Sequence, residues 1–256
     1  MKTTKAIRQY ILPGMKRVEE ITRAVLRYIA NWVAYFLAVL ILKVLNHVEL
    51  SGRENLPRGK DRYRMMLTSN HQTLIDSLVI GLGITSLWDL LFHQKRIAWN
   101  TPDRKNFLSK GFTKFFCGLL KNIPIDRGLT NRDDIGNQIH GCIQVLKEEN
   151  LVVFFQGTRT RNSLIGKCKR GVAKTILESN PDYIIPITLI GIDNIMPIGV
   201  GFRWLKIRSG FRGKMIIGER LDFSEIIASK SLSENAKVTL IRNRIREAVL
   251  KNYYQV

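Results

Sequence analysis

The chain has 256 residues, 45% of them hydrophobic, which suits one α/β domain with a sizeable core and excludes global disorder. Forty-one Lys and Arg against 21 Asp and Glu leave a net charge of +20, which implies an anionic partner: nucleic acid, an anionic lipid surface or a phosphorylated substrate. The three cysteines, Cys117, Cys142 and Cys168, form no CxxC pair, which excludes a disulfide framework and a cysteine-based zinc site and leaves three reduced thiols.

The basic N-terminus is followed by no cleavage-site pattern, so no secretory signal is expected. Ile21, Val25, Tyr28 and Trp32 recur at helical spacing, with Arg23 and Arg27 between them and Lys16 and Arg17 upstream. From Tyr28 to Leu42 the run "YIANWVAYFLAVLIL" carries no charge. As a helix it would be about 22 Å long, short of a hydrocarbon core of roughly 30 Å. A basic amphipathic helix that becomes wholly apolar reads as an element lying in the membrane interface, with Trp32, Tyr35, Phe36 and Leu37 as candidate membrane residues. A buried core helix, or a tilted span with Lys43 snorkelling, are the alternatives.

Residues 1–46 form this N-terminal region, and 47–256 read as one α/β body. His47–Leu50 predicts a strand closed by the Gly and Pro residues after it, and Tyr63–Thr68 a second. Asp133–Glu149 predicts a helix whose stripe is Ile135, Ile139, Ile143 and Leu146, with two aspartates at its positive end. "LVVFF", residues 151–155, predicts a buried central strand. "DYIIPITLIG" predicts another strand, limited by Pro186, and "KMIIG" one more. Ser231-x-x-Glu234 reads as the capping box of a C-terminal helix, which places Val238, Ile241, Ile245 and Val249 on one face. Strands alternating with helices predict an α/β sheet fold.

The stretch "SNHQTLID" sets His71 five positions ahead of Asp76. On one regular helix the two would sit about 140° apart and could not meet. They meet if His71 lies in the loop after the second strand and Asp76 in the first turn of the following helix. A carboxylate at one imidazole nitrogen fixes the tautomer and leaves the other nitrogen free to take a proton. The spacing alone also fits a structural histidine.

Other blocks decide between these. "NHQTLID", "GLLKNIPIDRG", "VVFFQGTRTR" and "IIPITLIG" follow one another in the order and spacing of the glycerolipid acyltransferase family, which the chain resembles over roughly residues 47–220. "CKRGVAK" and the lead-in "VELSGRENLP" also resemble that family. The resemblance implies a single central mixed sheet flanked by helices. It implies catalysis by His71 and Asp76. It implies phosphate binding by Arg127, Gly157, Thr158, Arg159 and Lys169, for which planar guanidinium forks are well suited. It implies acyl-CoA or acyl-ACP (acyl carrier protein) as the donor, a lysophospholipid acceptor such as lysophosphatidate, and no bound cofactor. The N-terminal segment and the positive charge set the expectation of membrane association on the cytoplasmic face, monotopic or by a single short span, with anionic membrane lipids as partners. Arg161, Lys167 and Arg170 read as solvated basic surface.

Three residues depart from the pattern: Gln156 replaces the usual glutamate, Phe155 the usual proline and Cys168 the usual phenylalanine. A neutral amide at 156 supplies no charge, which weakens any pairing of that position with an arginine. "RIAWNTPDRKNF" and "GIDNIMP" resemble tafazzin-like relatives, implying acyl exchange among lysophospholipids as the alternative activity. A non-catalytic basic membrane-binding protein is the competing class. No nucleic-acid partner is expected, because the basic residues are spread along the chain without a zinc finger, an RNP-like segment or a basic helix with heptads. No metal is expected either, since His47, His71, His93 and His140 show no ligand spacing, and no GxSxG marks a serine hydrolase elbow.

Overall fold

The computed structural model describes residues 2–107, 111–126, 132–160, 164–197 and 207–255. In chain order the elements are α1 (Lys2–Val39), β1 (His47–Ser51), β2 (Met65–Ser69), α2 (Asp76–Ile84), α3 (Leu87–Phe92), α4 (Arg104–Phe107), α5 (Gly111–Leu119), α6 (Arg132–Leu146), β3 (Leu151–Phe154), α7 (Arg170–Ser179), β4 (Tyr183–Ile190), α8 (Ile192–Ile195), β5 (Arg212–Ile217), α9 (Ser224–Ala228) and α10 (Glu234–Tyr254). The strands form one mixed sheet in the order β1-β5-β4-β2-β3. β4, β2 and β3 run parallel, β1 is parallel to β5, and the β4–β5 pair is antiparallel.

Successive side chains of a strand point to opposite faces, and here both faces are covered. Leu67, Val152, Ile185 and Ile187 join the core under α2 and the end of α1, while Met66, Leu151, Val153 and Ile184 join the core under α6, α7 and α10. This is why β2, β3 and β4 read as near-continuous apolar runs. α2 is apolar on nearly every side and correspondingly buried. The α10 stripe of Val238, Ile241, Ile245 and Val249 is wholly buried, as its spacing predicts.

Three local readings are corrected. β3 is an edge strand, not a central one. It is buried because residues 97–103 run alongside it: Trp99 N–H donates to Asn150 O, Val152 N–H to Trp99 O, and Thr101 Oγ1 to Val152 O. Pro186 does not end β4; it limits β4's pairing with β5, which starts at Ile187. Its carbonyl still accepts from Gly218 N–H, but Pro186 has no N–H to return the bond, which suits the point where β5 ends at Ile217. The cap of α10 is Ser233, whose Oγ accepts from Ala236 N–H, while Ser231 pairs with Ser229 in the preceding turn. Glu234 is therefore the first helical residue and stands two positions short of closing a capping box.

The N-terminal helix is longer than its uncharged run. After Val39 it passes into a π-helical turn, Leu40–Val44, and Glu19–Val44 is long and apolar enough to cross a membrane by length and composition. α1 packs against α2, α3 and α5. Ala38, Ile41 and Leu42 enter the core, and Asn31 Nδ2 donates to Gln94 Oε1 at 2.8 Å. The opposite side exposes Ile21, Val25, Ile29, Val33, Phe36 and Leu40 at helical spacing.

Candidate active site

The parallel strands β2, β3 and β4 end on one edge of the sheet, where loops carry the chemistry in open α/β folds. β2 stops at Ser69, and residues 70–75 turn back before α2 begins at Asp76. That loop removes the helical 140° conflict. Asp76 Oδ2 accepts from His71 Nδ1 at 2.8 Å, from Gln72 N–H at 2.6 Å and from Thr73 N–H at 3.0 Å, and Oδ1 accepts from Thr73 Oγ1 at 2.7 Å. The carboxylate has no exposure to solvent and lies at the positive end of α2. A buried carboxylate needs such a full set of donors, and these are charge-assisted bonds.

The His71 ring is 7% exposed as a residue and stacks on Phe154, centroids 4.1 Å apart at 17°. With Nδ1 engaged by Asp76 and one face against Phe154, Nε2 is the ring nitrogen that this carboxylate does not hold.

The loop is pinned on every side. Asn70 Nδ2 donates to Leu189 O at 2.8 Å and its Oδ1 accepts from Leu189 N–H at 2.7 Å, fastening the loop to β4. Gln72 Oε1 accepts from Ile192 N–H at 3.1 Å. His71 N–H donates to Gln156 Oε1 at 3.0 Å, and His71 O accepts from Thr160 N–H at 3.1 Å. Gln156 therefore supports the histidine's backbone, a task for which a neutral amide oxygen suffices. Asn70, Gln72 and Phe154 escaped the sequence reading. Their available signal was a run of amides and hydroxyls directly after an apolar strand, which has to be buried and therefore bonded.

The second block follows β3. Gly157 adopts φ +70° as its N–H donates to Phe154 O at 2.9 Å, a conformation that a residue with a Cβ resists. The Lys169 side-chain stem lies over Gly157, and Lys169 N–H donates to Phe155 O at 2.8 Å. Thr158 and Lys169 are exposed and Arg159 is half-buried. Together with Thr160 these residues stand beside the His71 loop. Arg127 and Arg161 lie outside the described residues.

A cleft of about 380 Å³ opens at the histidine. His71 and Phe154 form part of its wall, and most of the remainder is apolar, including Tyr35, Leu37 and Ala38 of α1 and Leu78 and Leu82 of α2. Two candidate membrane residues, Tyr35 and Leu37, thus line the cleft, whereas Phe36 is exposed and stacks on the half-buried Trp32 at 5.4 Å. Lys121 also lines the cleft; burial lowers its pKa, while its ion pair with Glu149 works against that shift. Burial pushes the Cys117 thiol up, Cys142 to about 11 and Cys168 to about 12, so all three are poor nucleophiles. Among the described residues no three His, Cys, Asp or Glu side chains gather as a metal site.

Comparison with known proteins bears on the family and the fold. The chain is similar to the chloroplastic 1-acyl-sn-glycerol-3-phosphate acyltransferase of Arabidopsis thaliana, 26% identical over 171 residues, 66% of this chain and 43% of that protein. A 1-acyl-sn-glycerol-3-phosphate acyltransferase of Chlamydomonas reinhardtii is 29% identical over 158 residues, 59% of this chain and 41% of its own. The chain spans less than half the length of these two relatives. Its fold is that of the crystal structure of the 1-acyl-sn-glycerophosphate (LPA) acyltransferase PlsC from Thermotoga maritima, with a TM-score of 0.62 at 16% identity over 93% of this chain and 83% of that one. The family model described as Acyltransferase matches residues 47–190, from the first strand through the end of β4, and so takes in the whole His71 loop and the turn that supports it. Because that match covers more than half of the sequence, the chain belongs to the acyltransferase family.

Proposed function

We propose that this protein transfers a fatty acyl chain from an acyl thioester, acyl-CoA or acyl-ACP, to the free hydroxyl of lysophosphatidate. The observation that carries the reading is the buried His71–Asp76 pair at 2.8 Å on the wall of a largely apolar cleft. A phosphatase would have no use for the greasy space beside the pair. A passive membrane binder would need neither.

In the proposed reaction the acceptor hydroxyl gives its proton to His71 Nε2 as its oxygen attacks the thioester carbonyl. The tetrahedral adduct collapses by breaking the carbon–sulfur bond. The imidazolium returns the proton to the departing thiolate sulfur, so no acyl-enzyme forms and no net proton is consumed. Asp76 stays ionised throughout and stabilises the imidazolium. General-base assistance of this kind contributes about 10²–10⁴-fold. Arg127, Arg159 and Lys169, with the backbone of Gly157 and Thr158, hold the acceptor phosphate, and each charge-assisted bond contributes about 1.5–3 kcal/mol. The cleft takes acyl carbons, at about 0.8 kcal/mol for each methylene removed from water.

The same reading sets the protein at the cytoplasmic face of a membrane, with α1 lying in the interface. Glu19–Val44 has the length to cross, but Asn31, Ala38, Ile41 and Leu42 are committed to the folded body, which favours a helix lying along it. The surplus of positive charge draws the body to anionic lipid and suits the anionic donor.

The test is a panel of purified lysolipids offered with a labelled acyl thioester, read by lipid mass spectrometry. Diacylated phosphatidate as the main product supports the reading. Transfer confined to other lysophospholipids, or thioester loss without any acylated lipid, rejects it.

A further inference from the structure

α3 has its polarity inside out. A helix on a water-exposed surface sends its charges outward and its apolar residues inward. In Leu87–Phe92 the single charged residue, Asp89, is 1% exposed, held by Arg62 at 3.0 Å and Arg96 at 3.2 Å and capped by Ser86. Leu87, Trp88, Leu91 and Phe92 all face outward, with Trp88 62% and Phe92 60% exposed. The Trp88 and Phe92 rings lie 4.3 Å apart, forming one aromatic projection. Two arginines fastened beneath it fix the helix in this orientation, so the exposed face is built rather than incidental. Four large apolar side chains on two turns form a patch that water alone does not explain.

The geometry points to α3 as a second membrane-inserting element, its occupant an anionic lipid monolayer. Three observations select lipid over a protein partner. α3 packs on α1, whose outward stripe, Ile21 through Leu40, is the apolar face already assigned to the interface, so the two exposed surfaces belong to neighbouring helices. The contact is tied by Asn31 to Gln94, just past α3. Both helices are walls of the catalytic cleft, through Asn31 and Tyr35 on one side and Leu90 on the other, so a monolayer covering their outer faces meets the space where acyl chains react. Tryptophan beside phenylalanine is the side-chain chemistry of the lipid headgroup boundary, and the chain's net charge of +20 favours an anionic one.

This inference rests on the membrane reading above, and the experiment separates the two. The wild-type protein, Trp88→Ser with Phe92→Ser, and Ile29→Ser with Phe36→Ser are each titrated with vesicles of phosphatidylcholine and phosphatidylglycerol and sedimented. None of the four substituted side chains lines the cleft, so turnover of detergent-dispersed substrates stays at the wild-type level. The α3 variant is expected to bind vesicles on the order of tenfold to a hundredfold more weakly than wild type. Undiminished binding by the α3 variant, with binding lost only in the α1 variant, overturns the role of α3 and leaves the membrane reading standing. Absence of wild-type binding overturns both. An α3 variant that keeps vesicle binding but turns a wild-type dimer into a monomer assigns the face to a second copy of the chain and overturns the lipid assignment.

Discussion

Asp76→Asn isolates what the carboxylate charge contributes. The carboxylate accepts four hydrogen bonds, three of them at Oδ2. An amide oxygen in the Oδ2 position keeps His71 Nδ1–H and the backbone N–H groups of Gln72 and Thr73. Its NH₂ then faces Thr73 Oγ1, which can accept instead of donate. The loop is retained and one negative charge disappears beside the imidazolium that forms during the reaction. Two unit charges about 4 Å apart interact by about 4 kcal/mol at an effective dielectric of 20. The difference between a charge-assisted and a neutral hydrogen bond sets a lower figure of about 1–2 kcal/mol. The expected loss is therefore about 10–1,000-fold, at about 1.4 kcal/mol per decade. It should fall on kcat, because the imidazolium is present only after proton transfer begins, while KM for the acceptor stays near the wild-type value. The assay follows thiol release from an acyl thioester with lysophosphatidate in detergent, with circular dichroism to verify folding. A folded Asp76→Asn protein with kcat within about threefold of wild type would refute the electrostatic role, since that is under 1 kcal/mol.

Gln156→Ala should leave the buried His71 N–H without an acceptor, a penalty of about 1–3 kcal/mol, and lower the melting temperature by roughly 2–10 °C together with activity; an unchanged melting curve would show that the amide supports nothing. Gly157→Ala forces a Cβ onto a residue at φ +70° and should lose about 1–2 kcal/mol in urea denaturation with a raised acceptor KM, because the turn presenting Thr158 and Arg159 shifts. Asp89 titrates below its ordinary value of 3.8: burial alone raises it, and the hydrogen bonds that Ser86 donates to it, together with the guanidinium groups of Arg62 and Arg96, outweigh that. Its folded-state pKa lies below the unfolded one, so its contribution is complete above the unfolded carboxylate range and is lost as pH falls through the folded value. Asp89→Ala should lose about 3–5 kcal/mol at neutral pH and show a flatter decline of the urea midpoint on acidification below pH 4; a parallel decline in both proteins would contradict this.

The parts of the molecule legible in the sequence are those specified by local pattern. β2, β3 and β4 are near-continuous apolar runs because both faces of the sheet are covered there, and the α10 stripe is buried because its residues repeat at helical spacing. The His71–Asp76 contact was readable only through the loop that breaks the helical rotation between them. What was hidden depends on the chain's return through space. Nothing local to "LVVFF" says that residues 97–103 will lie alongside it and bury an edge strand. Nothing local to Gln156 says that its amide will hold a histidine 85 positions earlier. Ser231-x-x-Glu234 matched a capping pattern as well as Ser233 matched a simple N-cap, and the backbone took the latter. α3 defeats pattern reading for a different reason: its one charge points inward to Arg62, 27 positions earlier, and to Arg96 in the turn after the helix, so its outward face looks like a core.

The most direct measurement is the turnover of His71→Ala with labelled acyl thioester and lysophosphatidate, at a protein concentration where the wild type is readily assayed. Loss of the general base predicts a decrease of about 10²–10⁴-fold in kcat with native circular dichroism and retained lysophosphatidate binding. Wild-type turnover by the folded variant would contradict the account.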